Sequence, residues 1–220
     1  MTMTLLKKPL SGKRELRSAE TRAAILRAAA HIFAEEGLAG ARTDAIAVAA
    51  GVNKALLYYY FKNKNALYFA VIEEHLKEFH QRAMEVLCAG QNVRATLLAY
   101  VSMHFDFLSA RPYYPRLSQR FMMAAGPGLE RLARKYFLPL REQLMRAIEQ
   151  GVRSGELRNV NAAHTVVSLV GLTVFYFASP VIRLAGHADP YERKQLTQRK
   201  QEILKFVRYG LFKNPEESWE

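Results

Sequence analysis

Acid–base and metal chemistry need histidine, cysteine or carboxylate groups that converge, and the spacing of those residues in this chain argues against both. The six histidines, at 31, 75, 80, 104, 164 and 187, form no HxxxH or HExxH pair. His75 and His80 are five residues apart, about 140° around a helix. Cys88 is the only cysteine, which excludes an intrachain disulfide and a Cys-cluster metal site. It reads as a packing residue near a helix end. No glycine-rich phosphate loop is present. The expectation is a protein with no catalytic residues, no metal and no cofactor, in a reducing, cytoplasmic setting.

What remains is recognition chemistry, concentrated in one short run. Lys54, Ala55, Leu56, Tyr58 and Tyr59 combine a cation, a small residue, an aliphatic and two phenols. On a helix, Leu57 and Phe61 share one sector of about 40°, and that sector must face a core. Ala55 and Tyr59 then point away, flanked by Leu56 and Tyr58, with Lys54 at the helix start. A face that places Leu and Tyr in water is unusual. One fitted into a major groove is not, since Ala and Leu meet thymine methyls and Tyr hydroxyls bond phosphates.

The elements that hold this run are helical. Ile25, Ala28, Ala29, Ile32 and Phe33 follow an amphipathic stripe that predicts a first helix over about 19–36, ended by Gly37. Thr43 reads as the N-cap of a second short helix, with Asp44 favourable against its dipole and Ile46 and Ala50 inward. Gly51 and Val52 make a tight turn, and Asn53 caps the third helix. Two helices joined by Ala-Gly-Val are a helix-turn-helix. A long helix over about 64–88 follows, striped by Leu67, Val71, Phe79, Ala83 and Val86. Further helices are expected at about 93–109, 113–124, 128–153, 162–184 and 190–212, with a kink at Pro139. No segment alternates as a strand would, so the class is all-α.

Charge points the same way. The 220 residues carry a net +12, which calls for an anionic partner, nucleic acid or an acidic membrane. Residues 1–66 hold 11 Lys+Arg and 5 Asp+Glu, against 21 and 15 in the remaining 154. Charge is therefore densest around the helix-turn-helix. Residues 1–18, with Lys7, Lys8, Lys13, Arg14 and Arg17, read as a flexible basic arm, either solvated or in contact with DNA.

From Thr21 to about Leu76 the chain resembles the DNA-binding domain of the TetR family of bacterial transcriptional regulators. The stretch is TRAAILRAAAHIFAEEGLAGARTDAIAVAAGVNKALLYYYFKNKNAL. The resemblance implies that Thr43 contacts a phosphate and that Lys54, Ala55 and Leu56 read base edges. It implies that Tyr58 and Tyr59 meet phosphates or thymine methyls, that Tyr60 takes a position often filled by His, and that Lys64 holds a phosphate. Leu56 departs from the usual Thr or Ser and points to an apolar contact. Each residue also has a plainer reading: Thr43 and Asn53 as caps, Tyr60 packed on the first helix, Lys62 and Lys64 solvated.

The implied organisation is the arm at 1–18, a helix-turn-helix domain at 19–78 and a helical ligand-binding and dimerisation domain at 79–220. The span 159–182 contains no Asp, Glu, Lys or Arg and at 24 residues is long enough to cross a bilayer. Asn159, Asn161, His164 and Pro180 favour a helix buried on both sides instead. The family pairs its last two helices with their symmetry mates. Here those are about 162–184 and 190–212, with Leu196, Ile203, Leu204, Val207 and Leu211 on the second. Two-fold symmetry doubles the base contacts on a palindromic DNA operator. Aromatic and methionine residues in the body serve mostly as core. Read as a pocket, His104, Phe107, Phe121, Met122, Tyr136 and Phe175 would enclose a largely apolar effector. The expected function is a homodimeric, ligand-released repressor. The alternative is a non-specific architectural DNA binder without a ligand switch, marked by a steep salt slope and little sequence preference.

Overall fold

The computed structural model describes residues 10–90, 92–123, 127–178, 189 and 191–216. They form α1 (Leu10–Gly40), α2 (Thr43–Ala49), α3 (Lys54–Tyr60), α4 (Lys64–Leu87), α5 (Val93–Ser109), α6 (Tyr114–Met123), α7 (Pro127–Leu132), a π-helical turn (Ala133–Phe137), α8 (Leu138–Ser154), α9 (Ala162–Ala178) and α10 (Arg193–Leu211). Among the described residues there is no strand, and an isolated antiparallel bridge joins Leu157 to Phe212. No described helix is long and apolar enough to cross a membrane.

The chain divides into two compact units, Met1–Ile72 and Glu73–Glu220, so α4 contributes residues to both. In the first unit α1 buries Ile25, Leu26, Ala29, Ala30, Phe33 and Ala34. These meet Ile46 and Ala47 of α2, Leu57 of α3, and Leu67, Tyr68 and Val71 of α4, all buried. Phe33 and Tyr68 pack edge to face at 5.0 Å. The inward residue of α2 is Ala47 rather than Ala50, which lies just past the helix end, half-buried. Gly37 interrupts α1 with φ 70°, and one more turn follows it. Residues 10–18 belong to α1, which corrects the reading of 1–18 as an arm: the helix extends a further turn and more toward the N-terminus. Lys7 and Lys8 lie outside the described residues.

In the second unit α5 is the central helix, packed on α8, α9 and α10. Its Leu97, Tyr100, Val101, Phe105, Phe107 and Leu108 are all nearly inaccessible. The expected single helix at 128–153 is broken by the π turn immediately before Pro139. Proline supplies no backbone N–H to the carbonyl one turn back, and the chain accommodates this by widening the turn. The helix expected at 162–184 is observed to Ala178, and 179–184 lie outside the described residues. Cys88 is exposed just past α4, which corrects its reading as a packing residue.

Candidate nucleic-acid interface

The turn between α2 and α3 is closed by backbone hydrogen bonds from Gly51 to Val48 and from Val52 to Ala47, each 3.0 Å. Gly51 has φ +68°, a left-handed conformation that β-carbons disfavour. Asn53 then caps α3, its Oδ1 accepting from the Leu56 amide at 2.7 Å. With Leu57 inaccessible and Phe61 5% exposed, α3 is locked in rotation. Lys54, Ala55, Tyr58 and Tyr59 are exposed and Leu56 half-exposed. Tyr59 is 80% exposed and its ring meets Tyr60 edge-on at 5.4 Å.

The polar groups of this face are already organised. Lys54 Nζ lies 2.8 Å from Asp44 Oδ1, a contact that holds the carboxyl below its ordinary range and raises the ammonium above its own. Tyr58 and Thr43 hydroxyls are 3.2 Å apart, a second link between α3 and α2. Tyr60 bonds Ser18 of α1 at 2.9 Å, so its phenol is turned toward α1. Lys64 Nζ donates to the carbonyls of Ala39 and Ala41 at 3.1 and 3.0 Å, which closes the end of α1 against α4. Thr43 is the first helical residue of α2 and not its cap. Arg42 holds the cap position in extended conformation, without a side-chain cap bond. Sequence reading passed over this exposed arginine, although a cation immediately before Thr43 was a usable signal for a phosphate contact.

The six residues expected at an effector pocket are not a set. His104 is buried, hydrogen-bonded to Thr173 at 3.0 Å, and burial pushes its imidazole down to about 4. Phe107 and Phe121 are core residues, at 2% and 3% exposure. Tyr136, in the π turn, donates its hydroxyl to Glu73 at 3.2 Å, while His80 binds its carbonyl at 3.0 Å. Met122 and Phe175 face outward, at 50% and 62%. Aromatic and methionine content thus falls on core and exposed positions alike. A cleft of about 570 Å³ lies instead on Glu78, Gln81, Arg82, Glu85, Val86 and Met103. On α9 the exposed residues are His164, Val167, Ser168, Gly171 and Phe175, one helical face. On α10 Phe206 and Tyr209 are exposed, whereas Ile203 and Val207 are in the unit's own core. Of the α10 aliphatics Leu196, Ile203, Leu204, Val207 and Leu211, Ile203 and Val207 therefore pack inward, and the other three are half-buried.

Residues 25–71 match the family model of bacterial regulatory proteins of the tetR family. Over 178 residues the chain is 29% identical to the HTH-type transcriptional regulator RutR of Escherichia coli strain K12, covering 80% of this chain and 84% of that one. It is similar in structure to the ketosteroid transcriptional regulator KstR2 of Mycobacterium tuberculosis, with a TM-score of 0.72 at 19% identity over 87% of this chain and 95% of that one. The transcriptional regulator FadR from Bacillus subtilis, solved in complex with stearoyl-CoA, gives 0.67 at 20% identity over 84% and 96%.

Proposed function

We infer that this chain, which belongs to the tetR family of bacterial regulators, is a homodimeric, ligand-responsive transcriptional repressor of a palindromic operator. The observation that carries the reading is the outward face of α3, where Lys54, Ala55, Tyr58 and Tyr59 are exposed on a helix locked by Leu57 and Phe61. Lys54 and Ala55 read base edges with Leu56 beside them. Tyr58, Tyr59, Thr43 and Arg42 hold the backbone. Lys64 donates to the Ala39 and Ala41 carbonyls and keeps a third N–H for a phosphate, so it both closes the end of α1 and supports the backbone contact. The exposed faces of α9 and α10 support pairing between protomers. The protein acts by binding and not by catalysis, in the bacterial cytoplasm.

The effector is an amphipathic acyl thioester. What supports this is the likeness to a regulator solved with stearoyl-CoA and a body built of aromatic and aliphatic side chains. Because α4 contributes to both units, an effector that shifts it changes the DNA-reading unit. It must favour the non-binding state by several kcal/mol to switch cleanly.

Selection of bound sequences from a random duplex pool tests the DNA reading. A palindrome is expected. Binding without sequence preference and with a steep salt slope supports the architectural alternative.

A further inference from the structure

α1 runs well past the core it serves. Its buried residues begin at Ile25, yet the helix starts at Leu10. Residues 14–20 are all exposed, Leu16 at 62%. Burial therefore does not hold this extension, and an exposed helical segment of its length is marginal on its own.

A side-chain contact ties the extension to α3. The hydroxyls of Ser18 and Tyr60 are 2.9 Å apart. Tyr60 is the last residue of α3, and its ring meets the exposed Tyr59 edge-on at 5.4 Å. One turn further along α1, Arg22 lies over the Phe61 ring at 5.5 Å. α1 thus passes the end of the recognition helix at residues 18–22, and residues 14–17 continue beyond it.

At 100° per residue, Arg14, Arg17, Ser18 and Thr21 share a sector of about 100°. Glu15 and Glu20 fall outside that sector. The side of the extension that borders α3 is therefore basic. Among the described residues neither Arg14 nor Arg17 has an ion-pair partner. They rise about 4.5 Å apart along the helix, and successive phosphates of one DNA strand are spaced about 3.4 Å along the duplex axis. Two long side chains can match that spacing, and guanidinium groups suit phosphate oxygens. A helix seated in a major groove has the sugar-phosphate walls at its ends, which is where the basic side of the extension lies.

We propose that the N-terminal extension of α1 is a second DNA-contacting element: Arg14 and Arg17 grip the phosphates that flank each half-site, and the Ser18–Tyr60 bond positions them beside the recognition helix. This rests on the reading of α3 as the base-reading element. The contact carries no sequence information. It lengthens the site and steepens its salt dependence.

The full chain is titrated by fluorescence anisotropy, between about 50 and 200 mM salt, against its selected palindrome in two duplexes. One ends at the palindrome and the other carries flanking sequence on both sides. Arg14→Ala/Arg17→Ala removes four cations per dimer. On the flanked duplex it should lower the slope of log affinity against log salt by roughly 3–4 and weaken binding at least tenfold at the lower salt. On the trimmed duplex variant and unsubstituted chain should bind alike, which also shows that the variant is folded. Arg14→Lys/Arg17→Lys keeps the charge and should keep the slope. Tyr60→Phe and Ser18→Ala should each lose part of the flank-dependent affinity, and the two together should lose no more than one alone.

An unchanged slope on the flanked duplex overturns the extension contact and leaves the reading of α3 standing. Equal losses on both duplexes, or an altered preferred sequence, also overturn it, because the arginines would then act inside the half-site. Full flank-dependent affinity in Tyr60→Phe overturns the positioning role of the bond. Failure of the unsubstituted chain to select any sequence overturns the reading of α3 and this proposal with it.

Discussion

Lys54 is held at 2.8 Å from Asp44 in the free protein, so DNA competes with a carboxylate for the same ammonium. Two substitutions separate the parts of that competition. Lys54→Ala should weaken operator binding by roughly 1–3 kcal/mol and relax the preference at one base position if the ammonium bonds a base edge. Asp44→Asn removes the competitor and a negative charge facing the duplex. It should tighten binding and steepen its salt dependence, as read by fluorescence anisotropy at several salt concentrations. Weaker binding by Asp44→Asn would mean that the pair orients Lys54 and does not restrain it. His104 is the residue with a pH signature. Burial lowers its imidazole to about 4, whereas in the unfolded chain it titrates near 6.5. Below about pH 6.5 the unfolded state therefore binds the extra proton, and stability falls as pH drops toward 4. Between pH 7 and pH 5 this residue should remove about 2 kcal/mol of unfolding free energy. His104→Gln should flatten that part of the profile in urea titrations. An identical slope in the variant assigns it to other groups.

At the scale of elements, the α2–turn–α3 unit depends on Gly51 holding φ +68°. A β-carbon there meets no other atom, so the penalty of Gly51→Ala is conformational alone, about 1 kcal/mol. Thermal unfolding should show that loss, and operator affinity should fall further because α3 is re-aimed. Gly51→Asn, which tolerates the left-handed region better, should recover part of both. The recognition helix was legible in the sequence because Leu57 and Phe61 fix its rotation with no help from distant residues. Lys64 was not, because its acceptors are the Ala39 and Ala41 carbonyls, and backbone acceptors have no sequence signature. The break before α8 was legible at Pro139, since a missing N–H is a local property. Its form as a π turn was not, because a missing N–H does not say whether the helix kinks or widens, and the contacts of Tyr136 with His80 and Glu73 of α4 join residues far apart in sequence. The division of the aromatic residues between core and surface was the least legible. Phe107 and Phe175 look alike in sequence, and only packing tells that one is core and the other exposed.

At the scale of the molecule, α9 and α10 present apolar side chains to solvent. Val167 and Phe175 are 69% and 62% exposed on one helix, and Phe206 and Tyr209 are 66% and 50% exposed on the other. Withdrawing a phenylalanine side chain from water is worth about 1.5–3 kcal/mol. Two such residues per protomer, counted twice by symmetry, supply a large share of what a stable dimer needs. A monomer that left this seam in water would gain none of it and would carry an aggregation-prone patch. Phe175→Glu/Phe206→Glu places four carboxylates at the centre of the seam. Each would need to be desolvated against like charge. The variant should sediment at 25.1 kDa, while the unsubstituted chain sediments at twice that mass. Since Phe175 and Phe206 lie in the second unit and Lys54 and Tyr59 in the first, the double variant leaves α3 chemically intact. Its affinity for a palindromic operator should nevertheless collapse toward that of one half-site, because the two recognition helices are no longer joined. A variant that stays dimeric would place the interface elsewhere. A monomeric variant with full operator affinity would show that each chain binds alone, and the palindrome would then have no structural cause.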